Sequence, residues 1–265
     1  MAAAGIGQER KHDSAPGAGF AVVRVLSKLG FCSRMQAVEL VRAGRVSVNG
    51  VTLRDPGARL DFRQELAVDG KPVGPSAKRY LIFHKPPGVV TTRSDERGRR
   101  TVYDLLGEAG AGLVPVGRLD RDSEGLLLLT NDTRFAAWLT DPANTVPRVY
   151  EVTVRPGMSA QEIEALRSGV DIGRGERSEP AEARPLDWDG SDLTLEITLT
   201  EGRNREVRRI FRTTARKVLR LRRTRFGPFE LGDLAIGAWR EAPITEADAR
   251  RLRSRRSPGQ WPKAQ

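Results

Sequence analysis

VPVGRLDRDSEGLLLLTND, residues 114–132, sets three carboxylates, Asp120, Asp122 and Glu124, directly ahead of four consecutive leucines. A short uninterrupted apolar run bounded by turn residues reads as a strand buried on both faces. An acid at the lip of such a strand is partly desolvated, so a cationic neighbour becomes valuable to it. Two of the three acids are expected to face solvent. Outward from this strand, YLIFHK (80–85), VYEVTV (149–154) and LTLEITL (193–199) also read as strands, with helices over Thr133 to Leu139 and Ser159 to Leu166. Helices and mostly antiparallel strands in mixed order predict an α+β domain over residues 79–250, one sheet flanked by helices.

Ahead of that domain, residues 20–70 read as a small helix-helix-hairpin unit. Val22, Val25, Leu26 and Leu29 recur at helical spacing before Gly30, and Ser33 stands at the N-cap position ahead of Ala37, Val38, Leu40 and Val41. GRVSVNGVTLRDPG (44–57) alternates around Asn49-Gly50, a two-residue hairpin turn. Residues 71–78, rich in Pro and Gly, read as the linker. A polar, Ala- and Gly-rich leader over 1–19 and a basic tail over 251–265 are expected to be disordered.

The 265 residues carry a formal charge of +11, from 45 Lys and Arg against 34 Asp and Glu, which suits a polyanionic partner such as nucleic acid. The charge is concentrated: Arg203 to Arg225 hold 10 Arg and Lys217 against Glu206 alone. Val207, Ile210, Phe211, Val218, Leu219 and Leu221 interleave with these residues, so the stretch is expected to be folded, with its arginines turned to one phosphate-binding surface. A single cysteine, Cys32, excludes an internal disulfide, and two histidines, His12 and His84, make no zinc-spaced cluster. No metal and no cofactor are expected. No P-loop occurs, and GEAGAG (107–112) lacks the context of a dinucleotide fingerprint. Without a signal-peptide core or a membrane-length apolar run, the expectation is a soluble, cytosolic monomer.

Two resemblances give these patterns a function. Residues 23–60, with the Ser33-Arg34 pair and the GRVSVNG turn, resemble the RNA-binding domain first described in small-subunit ribosomal protein four. That resemblance implies phosphate contacts from Ser33, Arg34 and Arg42, which supply affinity and positioning rather than sequence choice. The alternative is that Ser33 only caps its helix and Arg34 is a solvated charge.

Farther on, YLIFHKPPGVVTT, GRLDRDSEGLLLLTND, RVYEVTV, EGRNREVRRIF and LRLRRTRFGPFEL occur in the order found in bacterial ribosomal RNA pseudouridine synthases of the RsuA and RluB family. The resemblance implies the pseudouridine synthase fold, with Asp120 as the catalytic carboxylate, Tyr150 stacked on the base, Arg208 paired with Asp120, and Leu221 and Arg118 in the substrate pocket. The basic stretch is expected to add RNA contacts from Arg203, Arg205, Arg209 and Arg212. The wording of the family motifs is nearer the large-subunit branch, so the partner is ribosomal RNA or a ribosome assembly intermediate. Ser123, Thr133 and His84 depart from the family's Thr, Gly and Asn, all outside the proposed chemistry.

The reaction asks for these residue types. Uridine becomes pseudouridine by breaking its glycosidic bond, turning the base and rejoining it through ring carbon 5, with no redox step or phosphoryl donor. A carboxylate either attacks the anomeric carbon or removes the 2′ proton. Both routes need Asp120 ionised, which a nearby arginine favours. Tyr150 and Leu221 could instead be core residues, and Arg208 a phosphate clamp. At the level of sequence three other readings stay open: a non-enzymatic assembly factor, a small-subunit enzyme of the same class, and a nucleosidase, which would need a second carboxylate across the bond.

Overall fold

The computed structural model describes residues 19–60, 64–74 and 77–254. The chain divides into two compact units, residues 1–76 and 77–265. The leader expected over 1–19, Gly19 excepted, lies outside the described residues, as does the tail beyond Ser254.

In the first unit the helices Val22–Lys28 and Arg34–Arg42 pack on short strands around Val22, Leu26, Ala37, Val41 and Val46, all fully buried. Ser33 caps the second helix: its Oγ accepts from the Gln36 amide at 3.2 Å while Gln36 Oε1 accepts from the Ser33 amide at 3.0 Å. A reciprocal box of this kind contributes about 1 kcal/mol. Val46–Val48 and Val51–Leu53 form the expected hairpin, with Asn49 at φ 49° and Gly50 at φ 80°, as a type I′ turn requires. Asp69-Gly70 repeats that turn and pairs Leu66–Val68 with Lys71–Pro72. The expected linker therefore gives up its first two residues to a strand.

The second unit is built on one sheet. Seven strands run in the spatial order Glu182–Trp188, Leu193–Leu199, Arg148–Arg155, Lys217–Phe226, Glu124–Thr130, Tyr80–Lys85 and Trp239–Glu241. Every neighbouring pair in that order is antiparallel except one, Lys217–Phe226 beside Glu124–Thr130, where only two residue pairs are in register. The sheet is thus two antiparallel halves joined by a short parallel seam. At the seam Gly125 has φ +105°, and a Cβ there would stand 2.3 Å from the Arg223 carbonyl oxygen, so no side chain fits. Each half has its own core. Val152, Leu195, Ile197 and Phe211 centre one, and Leu81, Phe83, Leu127 and Leu129 fill one face of the other.

Glu124–Thr130 is buried along its whole length, as its unbroken apolar run dictates. The strand Glu182–Trp188, which the sequence does not announce, lies at the sheet edge, where Pro185 is tolerated. Thr133–Thr140 starts under an Asp132 cap and Ala160–Ala165 under Ser159 with Glu162 as its capping box. The last helix, Glu246–Ser254, carries four residues that were expected in the tail. No helix among the described residues is long and apolar enough to cross a membrane.

Candidate active site

Asp120 stands in the turn before the buried strand Glu124–Thr130, its side chain 29% exposed. That turn is fixed by its own carbonyl oxygens. Thr91 Oγ1 donates to Leu119 O at 2.9 Å, the Gly88 amide to Arg121 O at 2.8 Å, and Arg208 Nη2 to Asp122 O at 3.0 Å. Lys85, with no exposed surface, donates from Nζ to Arg121 O at 3.2 Å, Ser123 O at 2.7 Å and Pro86 O at 3.0 Å. Burial pushes the Lys85 ammonium down to about 8, against the pull of Asp120, Asp122 and Glu124. The sequence shows Lys85 only as the last residue of the strand YLIFHK. Its role as the peg beneath the Asp120 turn depends on a strand whose every residue is buried, so that the lysine at its end has nowhere to go but inward.

The three acids of the motif part company. Asp122 is exposed and held below the ordinary carboxylate range chiefly by a hydrogen bond from Arg121. Glu124, expected at the surface, is buried and paired with Arg220 at 2.6 Å. Asp120 meets two cations from the opposite half of the sheet: Arg205 Nη1 at 3.1 Å and Arg208 Nε at 3.9 Å. The nearer partner is Arg205, not the expected Arg208. Arg205 is the N-cap of the helix Glu206–Thr213 and sits in the left-handed region, φ 51° and ψ 34°, a conformation that bulky residues adopt at a cost of about 1 kcal/mol or more. That backbone turn aims the guanidinium at Asp120. Burial and the neighbouring Arg205 lower Arg208 below its usual value, while Asp120 and Asp122 pull the other way.

A pocket of about 180 Å³ opens at this point, walled by Asp120, Tyr150, Arg208 and Leu221, with Arg118, Arg203 and Arg205 also lining it. Tyr150 is half-buried and packs against the cores of both sheet halves. Glu206 and Glu201, both buried, also line the pocket. Glu201 accepts from the Glu179 amide at 2.7 Å and pairs with Arg203 Nε at 2.7 Å. Burial and then the adjoining Glu201 carboxylate push Glu206 up to about 8, so near neutral pH the two carboxyl groups hold one proton between them.

The basic stretch does not form a single face. Arg209 donates to the carbonyls of Ile172 and Gly173 and to Glu176, which fastens its helix to the strand Asp171–Gly173 rather than leaving it for RNA. Arg216 pairs with Glu162, Arg222 with Glu151, and Arg223 is buried. Arg212 remains exposed. A strand turns successive side chains to opposite faces, so a run of arginines along Lys217–Phe226 cannot share one surface. Ser33 caps its helix, with Arg34 and Arg42 exposed beside it. His84 is buried, its Nδ1 2.7 Å from Leu234 O.

A carboxylate between two arginines, beside an aromatic ring and an aliphatic wall, on an antiparallel sheet that follows a small helix-hairpin unit, defines a base-modifying enzyme of RNA. Residues 79–213 match the family model described as RNA pseudouridylate synthase, and residues 22–66 match the S4 domain. An uncharacterized RNA pseudouridine synthase of Aquifex aeolicus is 38% identical over 221 residues, covering 82% of this chain and 88% of that protein. Ribosomal large subunit pseudouridine synthase B of Bacillus subtilis is 33% identical over 233 residues, covering 87% and 94%. Among solved structures, a pseudouridylate synthase aligns with a TM-score of 0.61 at 26% identity, over 88% of this chain and 99% of that one. The chain belongs to the RNA pseudouridylate synthase family, with an S4 domain at its N-terminal end.

Proposed function

We propose that this protein isomerises one uridine of large-subunit ribosomal RNA to pseudouridine, with Asp120 as its catalytic carboxylate. The observation that carries the reading is Asp120 within 4 Å of two arginines in a base-sized pocket that also contains Tyr150 and Leu221. The target follows from likeness to relatives named for that substrate.

The uridine leaves its stack and enters the pocket, at a cost of roughly a few kcal/mol that phosphate contacts elsewhere on the protein offset. Tyr150 takes one face of the uracil and Leu221 the other. Arg205 and Arg208 hold Asp120 pointed at the sugar, where it attacks C1′ or removes the 2′ proton. In either route the N1–C1′ bond breaks and its electron pair stays with the base. The base turns and C5 bonds to C1′, as the Asp120–C1′ ester bond breaks in the first route or as C2′ takes its proton back from Asp120 in the second; the C5 proton is lost and N1 gains one, so atoms and charge balance without a co-reactant. Arg34 and Arg42 contact the backbone of structured RNA, and Ser33 joins them with the hydroxyl hydrogen that its capping role leaves free. Arg203, which lines the pocket, and Arg212, exposed on the helix Glu206–Thr213, act similarly. The protein works as a monomer in the cytoplasm, on free ribosomal RNA or an assembly intermediate.

Mapping pseudouridines in ribosomal RNA from cells with and without the protein tests this. A single site lost from the large-subunit RNA is the expected result. An unchanged map refutes the assignment, and a site lost from small-subunit RNA redirects it.

A further inference from the structure

Two buried arginines touch the same phenyl ring and live differently. Arg148, 6% exposed, lies 5.0 Å from the Phe226 centroid and donates to four carbonyl oxygens, those of Leu139, Val146, Thr200 and Glu201. Arg223, 3% exposed, lies 4.9 Å from the same centroid and donates from Nε to Leu126 O at 2.8 Å. Its Nη2 is buried without any hydrogen-bond partner, and Arg223 makes no ion pair among the described residues. A buried charge is retained at a cost unless something satisfies it. Arg148 is satisfied by the fold. Arg223 is not, and it walls the pocket that holds Asp120.

Its position in the sheet is specific. Arg223 is the cross-strand partner of Tyr150, and Leu221 lies two residues back on the same strand and the same face. A uracil between Tyr150 and Leu221 therefore has the Arg223 guanidinium beside it. The chemistry supplies what that guanidinium lacks. When N1 departs with the bonding pair, the charge of the uracil anion spreads onto O2 and O4. Exchanging N1 for C5 is a half-turn about the axis through N3 and C6, and that half-turn interchanges O2 with O4. One fixed donor at a carbonyl of the base meets an equivalent carbonyl after the turn.

We propose that Arg223 is a further catalytic residue, donating from Nη2 to a carbonyl oxygen of the expelled uracil and stabilising the anion before and after the base turns. This rests on the reading of the pocket given above. Preorganised donors aimed at developing charge in a water-poor site are the most effective form of transition-state stabilisation. Arg205 and Arg208 are turned to Asp120 and its turn instead, Arg205 Nη1 lying 3.1 Å from the carboxylate and Arg208 Nη2 donating to Asp122 O.

The test compares Arg223→Met, Arg223→Gln and Arg223→Lys in the full-length protein. Single-turnover rates are measured on ribosomal RNA and on the same RNA carrying 5-fluorouridine, with RNA affinity measured separately. Fluorine at C5 makes the departing anion more stable by itself. Arg223→Met is expected to slow cleavage of the uridine bond by about 10²-fold to 10³-fold, the range for loss of one such donor, with RNA affinity within twofold. On the fluorinated substrate the loss shrinks at least tenfold, and Arg223→Lys restores at least tenfold on uridine. Equal losses on both substrates, or an effect confined to affinity, overturn the proposal. If Arg223→Met does not fold, Gln and Lys decide. A slow Gln variant beside a faster Lys variant supports the proposal, and equal rates overturn it. Asp120→Asn serves as the control. If it too forms pseudouridine, the pocket itself has been misread, whereas an inactive Asp120→Asn beside a fully active Arg223→Met rejects this inference alone.

Discussion

In the first unit Arg34 and Arg42 are exposed and make no ion pair among the described residues, whereas Arg203, Arg205 and Arg208 of the pocket each have a carboxylate within 4 Å. The first arrangement leaves every charge available to a partner and independent of its neighbours. In the second, guanidinium and carboxylate hold one another, and Asp120, Lys85, Glu201 and Glu206 are each shifted or positioned by groups around them. Surface charges of the first kind set how tightly RNA is held. Coupled charges of the second kind set what happens once it is held, and their removal should not be additive.

The contrast is broken most directly at Asp120. Asp120→Asn should lower the single-turnover rate by roughly 10⁴-fold or more while leaving RNA affinity within twofold; a filter-binding titration beside a nucleoside digest checks both, and an active variant overturns the assignment. Lys85→Met touches no RNA, yet it frees the Arg121 and Ser123 carbonyls and loosens the Asp120 turn. Misplacing a reacting group by about 1 Å is worth about 10²-fold, so kcat should fall by about 10-fold to 10²-fold with KM little changed. A variant at the wild-type rate would show the turn to be rigid without its peg.

Arg34→Ala combined with Arg42→Ala sharpens the other side. Affinity should fall several-fold, and the slope of log K against log salt should decrease by about one for each phosphate contact removed. The rate at saturating RNA should stay as it was. A lowered rate there would mean that the first unit does more than hold. The smallest effect is expected from Glu206→Gln. Glu206 is raised from 4.5 to about 8, so the folded protein binds a proton that the unfolded chain releases. Its contribution is fully present below about 4.5 and is lost as pH rises through 8. The neutral glutamine suffers no such loss, so thermal melts should show the variant gaining on the wild type as pH increases across that window. A gap that does not vary with pH would separate Glu206 from its partner.

Much of the frame was legible in the residues. Four leucines in a row need burial on both faces, Asn49-Gly50 admits a two-residue turn and little else, and Ser33 with Gln36 three residues on has the hydrogen-bonding groups of a cap. Asp120 was legible through the motif around it. Its nearer cation was not, because the choice of Arg205 over Arg208 rests on a left-handed backbone angle that arginine seldom adopts. Nor was the division of the basic stretch. Composition counts charges without regard to direction, while a helix and a strand in succession turn Arg209 and Arg223 inward and leave Arg212 outside. Lys85 and Glu124 escaped for the same reason, each being a charged residue that burial and a partner hold inside.

The parallel seam at Gly125 has a mechanical meaning. Asp120 precedes the strand on one side of it, while Tyr150, Arg205, Arg208, Leu221 and Arg223 all come from the other. The acid and the cradle for its substrate are thus carried on separate plates, riveted at two residue pairs. The distance between reagent and target is an assembly tolerance of the sheet, set where Gly125 lets the two backbones close to a spacing that no side chain would allow.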